Sequence, residues 1–200
     1  MSKQGATVWM TGLPSSGKSA IAGVVHRKLL DRGVPTELLD GAQVRESLSK
    51  GLGFSREDRE ANVRRIGYVA KLLSRNGVVA ICAAVSPYRA TRDEVRANVT
   101  NFIEVYVECP VAVAESRDTE RRYERARLGE IEEFTGVNAP YEPPERAEVH
   151  IRSDVENVES AAAKVLRTLE MLSIIPPAPN EEWAQQEEDI RRRLSALGYI

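Results

Sequence analysis

Gly12-Leu13-Pro14-Ser15-Ser16-Gly17-Lys18-Ser19 is the stretch that decides the fold. It fits G-x-x-x-x-G-K-[ST], and its flanks are those the motif requires. The apolar run Val8-Trp9-Met10 precedes it, and the helical pattern Ala20-Ile21-Ala22-Gly23-Val24-Val25 follows. Glycines let the backbone curl until successive N–H groups converge on one anion. The next helix adds its positive N-terminal end. Lys18 then reaches the β and γ phosphates of a nucleotide, and the Ser19 hydroxyl ligates Mg²⁺. Pro14 has no N–H, but it stands early in the loop, before the amides that hold phosphate. Gly12 through Ala20 are therefore the expected binding segment for ATP.

Outward from this loop, β-type runs alternate with helical ones. Strands are expected at Ala6–Thr11, Thr36–Leu39, Val78–Val85, Phe102–Glu108 and Glu148–Arg152. Amphipathic helices are expected at Lys18–Arg32, Arg56–Arg75, Arg89–Asn98, Val111–Arg117 and Val158–Leu172. Such alternation predicts an α/β fold of the P-loop kinase type: a five-stranded, mostly parallel sheet covered by helices on both faces. The domain is expected to end at Ser173. Residues 174–180 hold Pro176, Pro177 and Pro179, which forbid helix and favour an extended linker. A final amphipathic helix is expected over Glu181–Leu197, within a tail of residues 181–200. Asn180 is its N-cap, and Trp183, Ile190, Leu194 and Leu197 share one face. That stripe fits docking on the chain's own core or on a sister subunit.

Composition narrows the functional classes. The 200 residues are 42% hydrophobic and 29% charged, enough for a core and a solvated surface. No run reaches the ~18 apolar residues of a membrane span. Net charge is −2, so no global field recruits nucleic acid or anionic lipid, and anion binding must be local. The N-terminus lacks the apolar stretch of a secretory signal, which predicts a cytoplasmic protein. Cys82 and Cys109 fall in buried strands and read as core residues of a reducing compartment. His26 and His150 stand alone, without the partners a zinc site needs.

A phosphate loop leaves the reaction open among NTPases, GTPases and kinases. The strand ending at Val85 carries no terminal carboxylate. Asp40, closing Leu38-Leu39-Asp40-Gly41, is the better placed acid, because the C-terminal strand ends of a parallel sheet form the ligand edge. There it can hold Mg²⁺ or accept a proton from an attacking hydroxyl. Downstream, Arg45 and the Arg59/Asn62 pair suit an anionic acceptor. Phe54, after the turn Gly51-Leu52-Gly53, can stack on a base. Ser86 can hydrogen-bond phosphate at the third strand's end, and Arg89 can neutralise it. Arg117, Arg121, Arg122, Arg125 and Arg127 suit a lid that closes over phosphate, although any one of them equally fits a solvated helix face.

With these motifs in order, the chain resembles adenylyl-sulfate (APS) kinases from about Thr7 to Asp154. The resemblance is carried by Gly12–Ser19, Leu39-Asp40-Gly41, Val44-Arg45, Leu52-Gly53-Phe54-Ser55, Asp58-Arg59, Asn62 and Arg64-Arg65-Ile66-Gly67. It continues through Ser86-Pro87-Tyr88-Arg89, Phe102-Ile103-Glu104-Val105, Arg117-Asp118, Ala126-Arg127, Gly129-Glu130-Ile131, Phe134-Thr135-Gly136 and Pro140-Tyr141-Glu142. It implies transfer of the ATP γ-phosphoryl group to the ribose 3′-hydroxyl of APS, with Lys18, Asp40 and Ser86 as catalytic residues and Ser19 and Asp40 toward Mg²⁺. It implies that Arg45, Phe54, Arg59, Asn62, Val85 and Ser86 bind substrate, with Phe54 and Phe134 sandwiching the adenine. It also implies a homodimer. The serine matching Ser86 is described in the family as a phosphoserine candidate; direct in-line transfer, with Ser86 as a phosphate contact, suits a loose transition state better. The chain departs from the family pattern at Ala42-Gln43, where Asp-Asn is usual, and at Glu132, where a base is usual. Its lid carries Arg121-Arg122 where Gly-Leu is usual. These departures leave two alternatives: a related kinase acting on another hydroxyl, or a non-catalytic ATP-binding partner of sulfate adenylyltransferase docked through the C-terminal helix.

Overall fold

The computed structural model describes residues 5–178 and 184–200. At the centre lies β1 (Ala6–Thr11), buried at every position, as a strand packed on both faces must be. Its neighbours are β3 (Val79–Ala83) and β4 (Phe102–Glu108); β2 (Thr36–Asp40) and β5 (Val149–Arg152) take the edges, in the order β2-β3-β1-β4-β5. All four pairings are parallel, so the sheet is wholly parallel rather than mostly so. The third strand is shorter than its apolar run suggests. Ala84 and Val85 continue the chain beyond the ladder, where they turn toward Ser86.

Helices cover both faces. α1 (Lys18–Asp31) and α7 (Val158–Met171) pack Ile21, Val25, Leu29, Val165, Leu166 and Leu169 against Val8, Met10, Ile81 and Val105. On the other face, α3 (Arg56–Arg75) buries Val63, Ile66 and Ala70 with Trp9, Cys82 and Phe102, and Val95 of α4 (Arg89–Asn98) joins them. Short helices α2 (Gly41–Glu46), α5 (Val111–Ser116) and α6 (Arg122–Arg127) flank the C-terminal strand ends. Side-chain caps start three helices: Asp40 accepts from Ala42 N, Ser55 from Asp58 N and Asn157 from Ser160 N.

The packing continues past Ser173, since Ile175 is buried in the main core with Ile174 against it. The last helix, α8 (Ala184–Ala196), lies against α7 and buries Ile190 and Leu194. Arg193 Nε donates to Ala147 O, and Tyr199 OH to Glu148 Oε1, both at the entrance to β5. The stripe thus docks on its own chain, at the sheet edge opposite the phosphate loop. Asn180 and Trp183, the expected cap and first member of that stripe, lie outside the described residues. Among the described residues no helix is long and apolar enough to cross a membrane.

Candidate active site

The C-terminal ends of β1, β2 and β3 open onto a cleft of about 790 Å³. Parallel topology creates it. β1 leaves through the phosphate loop to α1 on one face of the sheet, while its neighbour β3 leaves to α4 on the other, and the reversal opens a crevice between their ends. The loop hugs β4: a Cβ at Gly12 (φ 150) would stand 2.3 Å from Val107 O, so no larger residue fits. Gly17 (φ 99) makes the left-handed turn into α1.

Lys18 is folded inward, 7% exposed. Its Nζ donates to Gly12 O (3.0 Å), Leu13 O (2.6 Å) and Ser16 Oγ (3.2 Å). Burial pushes its ammonium down to about 7, with the Asp40 carboxylate pulling the other way. Ser19 and Ala20 are exposed at the start of α1, and Pro14, Ser15, Lys18 and Ser19 line the cleft. Across from them, Asp40 ends β2 beside Ala83. One of its carboxylate oxygens caps α2 through Ala42 N at 2.9 Å.

The acceptor half is built around arginines. Arg45 lies over the Phe54 ring (4.4 Å to its centroid) and donates to Leu52 O and Gly53 O. Arg59 donates to Phe54 O and to Glu133 O, tying the Phe54 turn to the Phe134 loop. Burial lowers both guanidinium pKa values from their usual range. Phe54 is 53% exposed, whereas Phe134 is held edge-on against Tyr123 at 4.9 Å. Asn62 and Val85 complete this wall. Asn62 Oδ1 and Thr135 Oγ1 are buried without a hydrogen-bond partner.

The lid rests on the loop. Tyr123 OH donates to Pro14 O at 2.8 Å, and Arg122 reaches Ser15 Oγ at 3.5 Å while pairing with Asp118. Arg121, Arg125 and Arg127 pair with Glu124, Glu130 and Glu115, and Arg117 donates to Ser153 O. Arg122 and Arg125 line the cleft, as does Glu132.

One expected contact differs. Arg89 points away from the cleft, because Glu145 and the carbonyl of Pro143 hold its guanidinium and Glu142 takes its backbone N–H. Ser86 lies in the wall, but its hydroxyl is committed inside the protein. It accepts from Trp9 Nε1 (3.0 Å) and donates to Ala84 O (3.2 Å), at 3% exposure. Ser86 thus stands in the wall, as expected, with its hydroxyl partnered by Trp9 and Ala84. Of Thr135 and Tyr123, only Thr135 stands in one of the ordered motifs, Phe134-Thr135-Gly136.

Among the described residues no group of three or more His, Cys, Asp and Glu is arranged to hold a metal ion. Ser19 and Asp40 are two oxygen donors in the same cleft, a sparse set that fits Mg²⁺, which keeps waters and takes phosphate oxygens.

A family model for adenylylsulphate kinase matches residues 4–152, three quarters of the chain. The chain belongs to the adenylylsulphate kinase family. It is 49% identical over 175 residues to the adenylyl-sulfate kinase of Rippkaea orientalis, covering 88% of this chain and 97% of that relative. It is similar in structure to the APS kinase of Mycobacterium tuberculosis in complex with AMPPNP and APS: TM-score 0.79, 38% identity, 84% of this chain and 98% of that one. A probable bifunctional SAT/APS kinase of Sorangium cellulosum is 49% identical over 172 residues, 86% of this chain and 30% of the relative.

Proposed function

We propose that this adenylylsulphate kinase family member transfers the γ-phosphoryl group of ATP to the 3′-hydroxyl of APS. One observation carries the reading: a single cleft holds Lys18, Ser19 and Asp40 on one side and the Arg59-linked Phe54 and Phe134 on the other. The first set suits a triphosphate; the second suits a purine between two rings. No observation favours another hydroxyl or a non-catalytic role, and Lys18 and Asp40 both argue for chemistry.

In this mechanism the loop amides and Lys18 hold the triphosphate. Asp40 accepts the proton of the 3′-hydroxyl as its oxygen bonds to the γ phosphorus and the bond to the β-γ bridging oxygen breaks, leaving ADP. Ser19 and Asp40 would hold Mg²⁺, which supplies charge neutralisation on the phosphate oxygens. Lys18 and Arg122 stabilise charge on the migrating group. Arg45, Arg59 and Asn62 orient the acceptor. Transfer is direct and in line, which suits a loose transition state, and Ser86 serves as part of the wall beside the acceptor. A homodimer and a cytoplasmic location belong to the same proposal. So does association with sulfate adenylyltransferase, which the bifunctional relative supports.

The test is ATP consumption with and without APS, the product identified by mass. APS-dependent formation of ADP and of APS carrying one added phosphoryl group is expected. ATP hydrolysis indifferent to APS refutes the reading.

A further inference from the structure

The turn that forms the acceptor wall is held by an arginine outside the cleft. Arg92, on α4, is 1% exposed and divides its fork among three segments. Nε donates to Glu104 Oε1 (2.8 Å), Nη1 to Ser86 O (2.7 Å) and Nη2 to Glu142 O (2.8 Å). Ser86 has φ 40, a left-handed conformation that L-residues adopt at a cost and keep only when their surroundings impose it. Its carbonyl also accepts from Thr11 Oγ1, at 3.4 Å.

Glu104, the counter-charge, is itself fixed. Arg96 Nη2 reaches it at 3.1 Å, and Glu148 accepts both from Glu104 N and from Arg96. Burying such charges seldom gains stability over apolar residues of the same shape, so stability alone does not account for them. What the fork does is reach the β3 turn, β4 and the Pro140–Pro143 strap from one point. A lysine, with a single ammonium, cannot reproduce that planar geometry.

We propose that Arg92 is a positioning residue for phosphoryl transfer: by holding the Ser86 carbonyl and the Glu142 carbonyl together, it sets the Val85–Pro87 wall at the distance the acceptor nucleotide requires. For the identity of that nucleotide the proposal rests on the functional reading above. Arg92 is not among the residues lining the cleft, and its guanidinium donates to Glu104, Ser86 and Glu142 rather than to the phosphate loop.

Arg92→Lys tests this in the full chain, with kcat and KM for APS measured beside the directly titrated Kd for Mg-ATP. KM for APS rises about tenfold or more and kcat falls, while Kd for ATP stays within about twofold, because misplacement acts only on the acceptor side. Wild-type constants, or APS and ATP constants that worsen together as general loosening would cause, overturn the proposal. Should Arg92→Lys not fold, Glu104→Gln carries the same test, with a KM rise of about threefold or more expected and wild-type constants refuting it. Trp9 gives a readout independent of turnover, since its indole bonds to Ser86 Oγ. In a Trp183→Phe background, Arg92→Lys alters the near-ultraviolet circular dichroism of Trp9 with the far-ultraviolet spectrum unchanged. An unaltered Trp9 signal overturns the proposal even if the wild-type protein proves inactive on APS, an outcome that would refute the functional reading instead.

Discussion

Nucleotide binding should draw a proton from solution, and Lys18 should be where it goes. Burial in the cleft wall holds this ammonium near 7, against an ordinary value of 10.5. At pH 8 about nine-tenths of the molecules then carry a neutral Lys18, and at pH 6 about one-tenth do. A bound triphosphate favours the charged form, so binding at pH 8 takes up about 0.9 proton per site and binding at pH 6 about 0.1. Affinity for Mg-ATP weakens by up to about tenfold per pH unit above 7. Titration calorimetry in buffers of different ionisation enthalpy reads the proton number directly as a slope. The same lowered pKa sets the sign for stability. From about 7 to 10.5 the unfolded chain holds a proton that the folded chain lacks, so this group's contribution makes the protein more stable as pH rises. A buffer-independent enthalpy at pH 8 would refute the reasoning, as would an uptake that persists in Lys18→Met.

Asp40→Asn keeps the shape and the cap on Ala42 N but loses the proton acceptor; kcat should fall about 10²-fold or more with little change in ATP affinity, read from steady-state kinetics and nucleotide titration. Phe54→Ala removes a half-exposed ring, so KM for APS rises by about tenfold while the thermal midpoint barely moves. Leu194→Ala opens a cavity at a fully buried position between the last helix and the domain. It should cost about 2–4 kcal/mol in denaturant unfolding, with kcat and KM unchanged at low temperature, because α8 docks at the edge opposite the cleft.

The sequence was most legible where local pattern and tertiary role agree. Ala6–Thr11 and Phe102–Glu108 read as strands because apolar, β-branched and aromatic residues dominate runs of strand length, and both occur with those limits. α3 was equally plain: Ser55 caps it, and Val63, Ile66 and Ala70 recur on one face. Asp40 could be assigned to the cleft because topology alone places a strand's C-terminal end there. Position was legible where commitment was not. Arg89 follows Ser86 by three residues and looked like a phosphate ligand, yet its partners Glu142 and Glu145 come from a strap more than fifty residues away. The Ser86 hydroxyl is occupied by Trp9, 77 residues distant. α2, with Val44 its one buried side chain, has too little periodicity to declare itself, and forms because Asp40 caps it. Nothing in the pattern around Arg92 reveals that three segments meet at its guanidinium.

The central place of β1 has a consequence for how the molecule is made. Its ladder partners are distant: Ala6 pairs with Val79, and Thr7 with Phe102. At ribosomal speeds of roughly 5–20 residues per second, β1 waits on the order of 5–20 s for β4 to be synthesised. Until β3 emerges Ala-Thr-Val-Trp-Met-Thr has neither ladder partner, and until β4 emerges one of its edges stays open; without charge or proline, it has the composition that aggregates through such edges. The phosphate loop waits with it, since Gly12 takes its shape against Val107. Pairing over such separations is slow. Substitutions that delay β3 or β4 should therefore lower the yield of soluble protein synthesised in cells while leaving the turnover of each folded molecule intact.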